Sequence, residues 1–128
     1  MRFGYTIIYV TDVAATVAFY AHAFGIVSRL LHESGTYAEL ETGPTALAFS
    51  SLEYAQALFG SVTPHEPHTT PAAVEIGLVT EDVDAAYARA VAAGAAPVLP
   101  PVLKEWGQTV AYVRDLNGFL VELCTPLG

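Results

Sequence analysis

The chain repeats its own opening. Residues Phe3 to Val10 are β-branched or aromatic at nearly every position and stop at Thr11-Asp12, and Val74 to Thr80 carries the same strand-like character up to Asp82. The two aspartates lie 70 residues apart (82 − 12), and the glycines that follow them, Gly25 and Gly94, lie 69 apart (94 − 25). An internal repeat of this kind constrains architecture more than any single propensity, because each copy has to be a supersecondary unit with the same order of elements.

The first copy reads as β-α-β-β-β. Asp12 is a helix N-cap residue, and Val13, Val17, Tyr20 and Phe24 then recur at helical spacing until Gly25 supplies a left-handed end, so the spacing predicts a helix over 12–24. Three short strand-like runs follow, Ile26 to Glu33, Thr36 to Glu41 and Thr45 to Ser51, separated by Ser34-Gly35 and Thr42-Gly43-Pro44 turn chemistry. Residues 52–72 change character. A helix-compatible stretch ends at Gly60, and a segment rich in Pro, His and Thr reads as the connection between module one, 1–51, and module two, 73–128. In the second copy Val83, Tyr87 and Val91 form one face of a helix that ends at Gly94. Strands are expected at Ala96 to Leu103, Gln108 to Arg114 and Gly118 to Thr125, with a hairpin turn at Asp115-Leu116-Asn117-Gly118.

At 128 residues and 53% hydrophobic content the chain can fill one continuous core, and a single domain is the starting expectation. Thirteen acids against five bases give a formal charge of -8, which repels polyanions and argues against nucleic acid as a partner. The lone Cys124 cannot form an internal disulfide, and no signal-peptide pattern opens the chain, so a cytoplasmic setting is expected. No apolar run approaches the roughly 20 residues that span a bilayer, so no membrane partner is expected.

Two stretches give the repeat a family likeness: Tyr9-Val10-Thr11-Asp12-Val13 leading to Phe19-Tyr20 and Phe24-Gly25, and Trp106-Gly107-Gln108 followed by Arg114-Asp115-Leu116-Asn117-Gly118-Phe119-Leu120-Val121-Glu122-Leu123. With the repeat, they make the chain resemble the vicinal oxygen chelate superfamily of glyoxalases, extradiol dioxygenases and bleomycin-resistance proteins over essentially its whole length. The resemblance implies an α+β fold in which two β-α-β-β-β modules, mixed curved sheets with helices outside, form a glyoxalase-like cup. It also implies a small-molecule ligand or substrate and a homodimer.

Metalloenzymes of that family take His and Glu or Gln ligands from the first and last strands of each module. Carried over by distance from the motifs, those positions fall on Tyr5, on Glu75, on Glu122 and on one of Ala46-Leu47-Ala48-Phe49. No histidine is among them. Zinc and iron sites normally use imidazole or thiolate, so Glu75 and Glu122 alone would make at best a weak site for a hard divalent cation. The expected cofactor is therefore none, or a weakly bound divalent metal.

Glu122 stands in the otherwise apolar Phe119-Leu120-Val121-Glu122-Leu123-Cys124, and burying an unpaired carboxylate is costly. It is either a cavity group whose pKa is raised by its surroundings, or a carboxylate on the wet side of an edge strand or paired with an Arg. Glu75 has the same look, with Gly77 beside it suggesting a close backbone approach. Tyr5, Ile7 and Tyr9 share a strand face that either presents phenols to a planar ligand or packs in the core. Trp106 opens a strand and either stacks on a ligand or covers the core edge. His65 and His68 imitate a metal-ligand spacing but read as a solvated Pro-rich loop, and Glu39 and Glu41 read as a solvent face or, with this strand inverted, as part of the cup lining.

These residues lead to a binding protein for an aromatic or cationic small molecule, as in the bleomycin-resistance branch. Tyr5, Ile7, Tyr9, Trp106 and Leu120 would give contact area, and Glu122 and Glu75 would attract the cation. The alternative is a lyase, isomerase or dioxygenase in which Glu122, Glu75 and Tyr5 are catalytic, with or without a divalent metal.

Overall fold

A computed structural model describes all residues, 1–128, and divides the chain into two units, Met1–Pro64 and His65–Gly128. The first unit contains β1 (Tyr5–Val10), α1 (Val13–Phe24), β2 (Ser28–Leu31), β3 (Tyr37–Leu40), β4 (Ala46–Ser51) and α2 (Leu52–Phe59). The second contains β5 (Glu75–Val79), α3 (Val83–Ala92), β6 (Ala96–Leu103), β7 (Thr109–Arg114) and β8 (Leu120–Cys124). Each unit is a four-stranded mixed sheet, ordered β1-β4-β3-β2 in one and β5-β8-β7-β6 in the other. The first strand of each runs parallel to the last, and the remaining pairs are antiparallel. The expected order of elements is present in both copies.

Both leading helices start as their aspartates require. Asp12 accepts a hydrogen bond from the Ala15 amide at 2.9 Å, and Asp82 accepts one from Ala85 at 3.0 Å. Gly25 then closes α1 at φ 70°. Tyr20 and Thr16 of α1 are fully buried, and the Tyr20 ring meets Phe49 of β4 at a centroid distance of 5.0 Å. Ala38, Leu40 and Phe49 share that covered side of the sheet. In the second unit α3 packs on β6, β7 and β8, where Ala111, Val113, Val121 and Leu123 form the buried face.

The stretch 52–72, read from sequence as a connection, divides between the units. Helix α2 packs on β4 and β1, and its Phe59 ring meets Tyr9 edge-on at 6.3 Å. From His65 onward the chain belongs to the second unit, and His65 is not the solvated loop residue expected. Its Nε2 lies 3.1 Å from the Gly118 carbonyl and its ring 4.7 Å from that of Phe119. Arg114 fastens the same strap by donating from Nε to the Gly118 carbonyl and from Nη2 to the Glu66 carbonyl. Gly118, at φ 90°, admits it: a Cβ there would stand 2.6 Å from the Glu66 oxygen and 2.7 Å from Pro67 Cα. His68 is exposed.

Candidate functional site

Strand alternation decides what the face of the second sheet opposite α3 carries. Register pairs Glu75 with Leu120 and Gly77 with Glu122 across the parallel β5–β8 ladder, and Tyr112 with Glu122 across β7–β8. Glu75, Gly77, Leu120, Glu122, Cys124, Tyr112 and Arg114 therefore share the face opposite the buried one. Strand β8 lies between β5 and β7, so Glu122 is not on an edge strand; Glu75 is, and is exposed.

Neither carboxylate is paired with a base. Arg114 points its donors at Gly118 and Glu66 instead. The Tyr112 hydroxyl donates to Glu122 Oε2 at 3.0 Å, and the Glu75 and Cys124 side chains also act on its charge. The hydrogen bond to Glu122, with burial and the adjacent charge, pushes the Glu75 carboxyl above its ordinary range. Burial works to raise Glu122 as well, but the donors from Glu75, Cys124 and Tyr112 outweigh it and hold this carboxyl below that range. The expectation of a raised Glu122 is thus corrected. Of the two, Glu75 is the carboxyl shifted toward holding its proton and Glu122 the one shifted toward losing it. Tyr112 is pushed up to about 12 by burial and by its bond to Glu122, and burial pushes the Cys124 thiol up.

Gly77 does not serve a close backbone approach, since a Cβ there would meet nothing within 4 Å. Its effect is the reverse, leaving space beside Glu122. Tyr112 went unnoticed in the sequence, because a turn over 115–118 sets Ala111 opposite Glu122 and the observed register is shifted from it by one residue.

In the first unit Tyr5, Ile7 and Tyr9 do share a face, with Tyr5 59% and Ile7 39% exposed and Tyr9 partly covered by Phe59. Ala48 is the register partner of Ile7 as Glu122 is of Gly77, which resolves the fourth family ligand position to Ala48. Glu39 does not face open solvent as expected: its side chain is 17% exposed, bound by Arg29 Nε at 3.2 Å and by the Tyr37 hydroxyl at 2.6 Å. Trp106 does not open a strand. It sits in the turn before β7, 60% exposed, with Nε1 donating to Gln108.

Nowhere do three or more His, Cys, Asp or Glu side chains gather so that they could hold a metal ion. Tyr5 and Ala48 supply no ligand the family's metals favour. Glu75 and Glu122, without imidazole, do not fit a tightly held zinc, nickel or iron ion.

A sequence profile of the Glyoxalase/Bleomycin resistance protein/Dioxygenase superfamily matches residues 2–123. The chain belongs to that superfamily. Among solved structures it is similar to a glyoxalase-related enzyme from Fulvimarina pelagi (20% identity, covering 98% of this chain and 88% of that one, TM-score 0.83). It is also similar to TioX from Micromonospora sp. ML1 (26%, covering 99% and 100%, TM-score 0.74) and to a glyoxalase/bleomycin resistance protein/dioxygenase from Nocardioides (22%, covering 99% and 84%, TM-score 0.74). Comparison with curated proteins gave no match. No helix is long and apolar enough to cross a membrane.

Proposed function

We infer that the chain binds a small organic cation with an aromatic body, its positive group received by Glu75 and Glu122. One observation carries this reading: two acidic side chains stand together on the face of the second sheet opposite α3, with no base paired to either and open space at Gly77 beside them. The formal charge of -8 favours a cation over an anion at long range. Leu120 shares this face and offers apolar contact beside the pair. No resident metal is needed for binding of this kind. A homodimer and a cytoplasmic setting accompany the reading.

A second reading is favoured by the same pair. Adjacent carboxyl groups pushed in opposite directions suit proton transfer to and from a substrate, as in a lyase or isomerase. Thermal shift separates charge recognition from plain apolar binding: benzylammonium should raise the melting temperature in proportion to the logarithm of its concentration, and benzyl alcohol should not. Equal shifts from both would remove the carboxylates from the argument.

A further inference from the structure

The first unit carries a polar cluster that plays no part in the carboxylate pair. Arg29 falls where the β2–β3 register shifts between Ser28 and Leu30, and such a bulge re-aims a side chain. Its guanidinium is fixed by Nε to Glu39 Oε1 and by Nη1 to the Gly43 carbonyl at 2.8 Å, with Glu41 Oε1 3.9 Å from Nη1. The N–H groups on Nη2 are left without an acceptor. Tyr37 spends its hydroxyl proton on Glu39 Oε2 and keeps its own oxygen lone pairs. One carboxylate, Glu39, thereby holds at its two ends a donor and an acceptor that have no protein partner and are open to solvent.

We propose that Arg29 and Tyr37 form a recognition point for the amide edge of a flat, uncharged ligand, the ligand carbonyl accepting from Arg29 Nη2 and its N–H donating to Tyr37 Oη. Tyr5 and Ile7 lie on the same sheet face as Glu39 and provide the exposed surface on which a ring rests. The chemistry selects against ions. Glu39 has both oxygens occupied and cannot receive a cation, and the two acids around one base disfavour a free carboxylate or phosphate. A planar guanidinium gripped on one side presents its remaining N–H groups in a fixed direction, which a lysine cannot imitate.

The probe is isoquinolone, a bicyclic aromatic lactam, compared with N-methylisoquinolone, which keeps the ring and carbonyl but lacks the N–H. Titrated into the full chain and followed by 1H–15N NMR, isoquinolone should saturably shift the Arg29 Nε–H and the Tyr37 and Glu39 amide signals. The N-methyl compound should bind about five- to tenfold more weakly, the usual effect of losing one hydrogen bond. Arg29→Lys should weaken isoquinolone by a similar factor. No shift at millimolar isoquinolone, equal affinity for the two compounds, or shifts confined to other residues would each overturn the proposal. The two-compound comparison uses unaltered protein, so it decides the matter even where Arg29→Lys fails to fold. No step involves Glu75 or Glu122, and failure here leaves the proposed function standing.

Discussion

Glu75 and Glu122 act on each other's ionisation across the β5–β8 ladder, Glu75 standing two residues along β5 from Glu122's register partner, Gly77. A Cβ at that partner would meet nothing within 4 Å, so the space beside the two carboxyl groups is open. Tyr112, across the antiparallel side of β8, completes the arrangement from the other direction.

Tyr112→Phe removes one of the donors that keep Glu122 charged. The Glu122 midpoint, followed by the carboxyl carbon in an NMR pH titration, should move upward, with a stability loss of about 1 kcal/mol. An unchanged midpoint would mean that the phenol does not hold this carboxylate.

Glu39 sets a pH dependence of definite sign. Its folded-state pKa is lowered, chiefly by the Tyr37 hydrogen bond and also by Arg29, so its contribution to stability is present above the ordinary glutamate value of about 4.3 and is lost as pH falls through the lower folded value. Glu39→Gln should flatten the acid limb of a stability-against-pH curve. A limb of equal steepness in the variant would place the titrating groups elsewhere.

Gly118→Ala should cost more than Gly94→Ala. Both glycines have positive φ, 90° and 107°, and a side chain in such a conformation costs about 1–3 kcal/mol. Only Gly118 adds a collision with backbone, at Glu66 and Pro67. Urea denaturation should show the larger loss at Gly118, with the His65 ring released from Phe119; equal losses would mean that the strap is not docked there.

The repeat made most of the fold legible. Helix caps at Asp12 and Asp82 and turns at Gly25 and Gly118 are short-range signals, and they placed each element to within a few residues. Alternation put Glu122 on the opposite side of its strand from Val121 and Leu123, but left open whether that side lines a cavity or faces water. Its ionisation was not legible. That depends on Glu75 and Tyr112, brought beside it by pairing across two different ladders, and the same is true of Glu39, whose partners Arg29 and Tyr37 arrive through a bulge. His65 was misread for a related reason: a Pro-rich composition describes the strap and says nothing of the hairpin that receives it.

Protein purified without added ions should contain zinc, nickel, iron and manganese only at small fractions of a mole per mole, as expected for a site with two carboxylates and no imidazole. Near-stoichiometric metal by mass spectrometry would show that ligands other than Glu75 and Glu122 are recruited.

Isothermal titration of benzylammonium into the unaltered chain and into Glu122→Gln tests cation recognition most directly. Saturable binding to the former, weakened about tenfold in the variant, is the expected result, since a charge-assisted hydrogen bond is at stake. Equal affinity in the two proteins would contradict a role for the Glu75 and Glu122 pair in receiving a positive group.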